Sequence, residues 1–65
     1  MDIRSYIKNN FKDDGEDSIK ESIEESIKSK DEILLPGLGV FFELVWNNSD
    51  DNEKRNILKK IHTSI

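Results

Sequence analysis

The stretch LPGLGVFFELVW, residues 35–46, constrains this chain more than any other feature. Its flanks are strings of Lys, Glu, Asp, Asn and Ser, so much of the aliphatic and aromatic bulk falls in one short run. Pro36 suits the first turn of a helix, where its missing N–H costs nothing and its fixed φ is already helical. Leu38, Phe41, Phe42 and Val45 then follow the i, i+3, i+4, i+7 spacing of a helix face, and Val40 and Leu44 widen the apolar arc. Only Gly39, Glu43 and Asn47, four residues apart, form a polar strip. A helix apolar over most of its circumference has to be surrounded. Residues 36–47 are therefore predicted to be the central post of an all-α fold, a small bundle of about four short helices. The segment GVFFELVW is also rich in strand-favouring residues, but nothing else in the chain resembles a strand that could pair with it.

The neighbours read as thinner helices. Ile3, Ile7 and Phe11 recur every four residues with Tyr6 beside them, which predicts a first helix of about three turns. Gly15 after Lys12-Asp13-Asp14 is expected to provide a positive-φ or flexible exit. Ser18-Ile19-Lys20-Glu21 fits a capping box opening the second helix. There SIKE-SIEE-SIKS repeats every four residues, so Ile19, Ile23 and Ile27 line one face that drifts by about 40° per step. That helix should lie on the outside of the domain. A last helix, capped by Asn48 or Ser49, opens with Asp50, Asp51 and Glu53 and ends with Lys59, Lys60 and His62, which complements the helix dipole. Its core residues are expected to be Ile57, Leu58 and Ile61, with Ile65 at a fraying end.

Size and composition narrow the function classes. Sixty-five residues make one domain, 1–65, and a chain this short buries only about 60% of the surface its unfolded form exposes. There is no cysteine, hence no disulfide or thiolate metal site, and His62 alone anchors no zinc. Stability must come from helix packing, a partner chain, or both. The net charge is −4, and the excess acid lies in the first half of the chain. Such a surface repels phosphate backbones on average. The start, Met1-Asp2, lacks the apolar region of a secretory signal, and the run Ile33–Trp46, broken by Pro36, two glycines and Glu43, is too short for a membrane span. The chain reads as soluble and intracellular.

No catalytic constellation stands out. Glu43 is the one carboxylate in an apolar setting, and a buried Glu43 could act as an acid or base. The simpler reading has it reach solvent or pair with a Lys or Arg of the last helix. His62 near a helix end serves as a dipole partner. Lys54, Arg55, Lys59 and Lys60 give the last helix a basic side that could touch nucleic acid, but there is no phosphate cradle, stacking platform or positive net charge to support it. Gly37 and Gly39 do not make a dinucleotide fingerprint and read instead as sites of close backbone approach. The remaining signal is surplus apolar surface: Phe41, Val45 and Trp46 are candidates to face a second copy or another protein, with Trp46 a possible half-exposed anchor.

The pattern Leu35-Pro36-Gly37-Leu38-Gly39-Val40, then Phe42-Glu43 and Trp46, followed by a polar break, Glu53-Lys54 and Leu58, resembles the core motif of the minor small, acid-soluble spore proteins of type I. The resemblance extends over nearly the whole chain, with Phe41 standing where an aliphatic residue is expected. It implies a cytoplasmic protein of the forespore and then the spore core, a place and time rather than a reaction. The glycine-rich DNA-binding segments and the protease cleavage pentapeptide of the DNA-coating spore proteins, a separate family, have no counterpart here.

The resulting expectation is a non-enzymatic protein with no cofactor, metal or small-molecule substrate, acting through a homodimer or a spore-protein partner. The central helix should be enclosed by its neighbours, with no pocket built on it. Two rivals stand beside this reading: a nucleic-acid accessory protein using the basic last helix, and an amino-acid reserve degraded at germination.

Overall fold

A computed structural model describes residues 2–65. Over these residues the chain forms four α-helices and one 3-10 turn and no strand: α1 Ile3–Phe11, α2 Glu16–Ser29, the 3-10 turn Glu32–Leu34, α3 Leu35–Asn47 and α4 Asp51–Ser64. The all-α prediction holds, and GVFFELVW is helical.

Local chemistry sets the boundaries. Asp2 caps α1 by accepting from the Arg4 N–H at 3.1 Å and the Ser5 hydroxyl at 3.2 Å. The exit of α1 does not use a left-handed glycine. Gly15 has φ −79° and instead stands as the N-cap of α2, without a side-chain bond. The capping box expected at Ser18 is also absent, because the cap of α2 falls three residues earlier, at Gly15, with Glu16 and Asp17 in its first turn. Two acids at the positive end of the helix dipole stabilise that extension, and Ser18 is carried into the helix. α2 closes on Lys30 in the left-handed region (φ 55°, ψ 25°), whose N–H bonds to the Ile27 carbonyl at 3.3 Å. Lys30 is the one non-glycine residue with positive φ among those described. Asp31 then caps the unforeseen 3-10 turn by accepting from the Ile33 N–H at 3.0 Å.

α3 begins at Leu35, one residue before the expected start, with Pro36 in its first turn. At its other end Asn48 Nδ2 donates to the Leu44 carbonyl at 2.8 Å and the Ser49 hydroxyl to the Val45 carbonyl at 2.6 Å. Both residues are thus occupied with ending α3, and the cap of α4 falls to Asp50. Asp50 and Glu53 form a full capping box, each side chain accepting from the other's N–H at 2.8 Å.

α3 is the hub, packed by α1, α2 and the 3-10 turn. Ile7 lies over Gly37, and the Phe11 and Phe41 rings meet edge to face with centroids 5.5 Å apart. Val40, 4% exposed, is the only buried residue among those described. Enclosure is therefore partial, against expectation: Phe42 is 44% and Val45 53% exposed. The thin stripes of α1 and α2 cover one side of α3, and the drift along α2 carries Ile27 out to solvent while Ser22 and Ser26 turn inward. α4 does not close the remaining side. Of its three expected core residues only Ile57 is half-buried, whereas Leu58 and Ile61 stay exposed. The Cα radius of gyration, 12.8 Å, exceeds the ~10.7 Å typical of a compact domain this long.

Candidate interaction surface

Glu43 occupies the polar strip of α3, and its partner comes from α1. Arg4 grips it with both arms of the guanidinium fork, Nε to Oε1 at 2.8 Å and Nη2 to Oε2 at 2.9 Å. The last helix, where a partner was expected, contributes nothing to this pair. α1 runs along the polar strip, and Arg4 lies one residue past Ile3 on the edge of the apolar stripe, so it reaches over the side of α3. The Arg4 hydrogen bond holds the Glu43 carboxyl below the ordinary glutamate value against a smaller opposing effect of desolvation, with the positive charges of Arg4 and Lys8 adding to the lowering. A carboxylate tied in this way is ionised at neutral pH and is a weak base. The pair is open to water, which makes it a link between helices more than a source of stability.

The apolar residues divide into two regions. The first is a groove of about 530 Å³ between α1, α2 and the C-terminal half of α3, floored by Ile7, Phe11, Ile19, Ile23, Leu44 and Val45. It corrects the expectation that no pocket is built on the central helix. Its walls are almost entirely hydrocarbon, with Lys8 and Lys12 at the α1 rim. It arises because the Ile19–Ile23 stripe touches α3 without reaching Val45, whose side is left open. The second region is the adjoining shoulder of α3, where Phe42 stacks on Trp46 at 5.9 Å between centroids and Lys54 of α4 places its ammonium 5.2 Å from the Trp46 ring. Trp46 is half-exposed, Phe41 is drawn half inside by Phe11, and Phe42 takes the outward place.

That cation–π contact also changes how the basic residues of α4 read. Lys54 is half-buried over the indole, while Arg55, Lys59 and Lys60 are exposed. At about 100° per residue Arg55 and Lys59 share one side, with Lys54 and Lys60 to either side of them. The proline-glycine segment provides no backbone cradle: Leu35, Pro36 and Gly37 are the first turn of a regular helix. A Cβ on Gly39 would meet nothing within 4 Å, and one on Gly37 would meet only the Ile7 side chain, at an ordinary 3.5 Å, so the close backbone approach expected at the two glycines is found at neither. Among the described residues no group of three or more His, Cys, Asp or Glu is placed to hold a metal ion. Among the described residues no helix is long and apolar enough to cross a membrane.

Comparison with known proteins gives one consistent answer. A family model described as small, acid-soluble spore protein I matches residues 1–65. A protein named small, acid-soluble spore protein I from Bacillus cereus strain G9842 is 36% identical over 65 residues, covering the whole of this chain and 94% of its own length. Proteins of the same name from Bacillus cereus strain AH187 and Bacillus anthracis strain CDC 684 are 45% identical over 38 residues, 58% of this chain and 55% of theirs. No solved structure matches.

Proposed function

The chain belongs to the small, acid-soluble spore protein I family, and from that premise we propose that it is a non-enzymatic protein of the forespore and spore core that works by associating with itself or with another protein. One observation carries the reading: among the described residues Val40 alone is buried, while Phe42, Val45, Leu58 and Ile61 leave large apolar side chains in water. A small chain with no cysteine has few other ways to complete a core. The ion pair on Glu43 supports the non-enzymatic reading, because it leaves the only carboxylate of α3 ionised and engaged. Nucleic acid is a poor fit for a surface of net charge −4 whose Lys54 is engaged by Trp46.

Crosslinking in intact spores, followed by identification of what is joined to the chain, tests the proposal. Association predicts discrete adducts with a second copy or with one recurring protein. Recovery of the chain only as an unlinked species, in spores where abundant control complexes are captured, would refute it.

A further inference from the structure

Two apolar features of this chain are left open: the groove between α1, α2 and α3, and the stripe of α4 on which Leu58 and Ile61 are exposed beside a half-buried Ile57. Building on the association reading, we propose that the partner is a second copy, and that α4 of each copy lies in the groove of the other. An amphipathic helix laid in an apolar groove is a recurrent recognition mode, anchored by residues at i, i+3, i+4 and i+7. Here one chain carries both halves.

Area argues for it. The chain exposes 5753 Å², whereas a folded monomer of 7.6 kDa exposes about 4,300 Å². The surplus, about 1,450 Å² per chain, exceeds the ~800 Å² each partner contributes to a standard interface.

The corner between α3 and α4 explains why the occupant comes from another molecule. It is fixed by the Asn48 and Ser49 bonds back to α3 and by the Asp50–Glu53 box, and Lys54 is held over Trp46, which lies outside the groove lining. Folding α4 into its own groove would break these contacts; exchange between two copies keeps them. Charge agrees as well. α2 bears five acids against two lysines, and α4 bears Lys54, Arg55, Lys59 and Lys60 against Asp51 and Glu53. Lys8 and Lys12 of α1 are the only charged residues lining the groove, so net charge favours the incoming helix leaning toward α2 rather than α1. The exchange is reciprocal, so it closes at two copies.

Because the chain has no cysteine, single-cysteine variants report position cleanly. Val45→Cys and Ile61→Cys chains, mixed and oxidised mildly, should form a mixed disulfide in preference to either homodimer, and sedimentation equilibrium of the unmodified chain should give twice 7.6 kDa. Isotope-filtered NOE spectra of a half-labelled sample should join the Leu58 and Ile61 methyls to the Phe11 ring between molecules. Leu58→Glu should weaken association at least tenfold without loss of monomer helicity. A dimer lacking both the mixed disulfide and these NOEs overturns the exchange and leaves self-association standing. A strict monomer at every concentration overturns the exchange and self-association together, leaving only a different protein as partner.

Discussion

Replacing Gly39 with alanine should stabilise the chain, although the residue falls inside the segment that carries the family resemblance. Gly39 is the fifth residue of α3 and its backbone is helical. A methyl group there meets open space. The substitution removes the flexibility that the unfolded chain enjoys at glycine and adds no clash, a gain of about 1 kcal/mol in a helix interior. With an unfolding entropy of about 2.1 cal/mol/K per residue, a chain this long gains about 7 °C in melting midpoint from that change. Gly37→Ala makes the control, since its methyl meets Ile7 in ordinary contact but sits in the first turn, where the gain is smaller. The assay is thermal unfolding followed by circular dichroism at several protein concentrations, which separates folding from association. A fall in midpoint for Gly39→Ala at low concentration would refute the reasoning. A fall confined to high concentration would show that a partner approaches α3 across Gly39.

Val40→Ala cuts back the one buried side chain among the described residues and should cost about 2 kcal/mol, read as a lower urea midpoint or outright loss of cooperative unfolding. Asp50→Ala should cost about 1 kcal/mol through loss of the α4 capping box, whereas Ser18→Ala, inside α2, should change little; the reverse order in urea titrations would mean that the helix starts are misplaced. Glu43→Gln should lower the melting midpoint near neutrality. Because the folded pKa of Glu43 is depressed, its contribution is present above the ordinary glutamate value and is lost as pH falls through the lower folded value, so the difference from the unmodified chain should vanish in strong acid and shrink with added salt. A difference that grows on acidification would contradict the pairing with Arg4.

The helices were legible because each has a simple periodic signal, and α3 as the hub followed from its nearly all-round apolar surface. What could not be read was how far each stripe reaches. The four-residue spacing of Ile19, Ile23 and Ile27 announces a drifting face, but only the packed structure shows that Ile27 falls off it and that Val45 loses its cover. Capping was legible as a vocabulary and not as a position. Ser18-x-x-Glu21 and Asp50-x-x-Glu53 have the same form, and acids just upstream decide the first case by lengthening α2 past its serine. The Arg4–Glu43 pair was missed because it spans 39 positions, and charge spacing along a chain carries information only within a few turns. The open groove was hidden for the same reason: it belongs to three helices and to no single periodic pattern.

The link between α1 and α3 also bears on how the chain is made. The first helix packs chiefly on the third, with α2 between them in the sequence, so α1 leaves the ribosome without its main packing surface until the residues up to Asn47 have followed. At ordinary rates of synthesis that interval is about two to seven seconds, far longer than a helix takes to form or a short loop to close. Throughout it Ile3, Ile7 and Phe11 lack the cover of α3, which makes that window the time when a chaperone would find them.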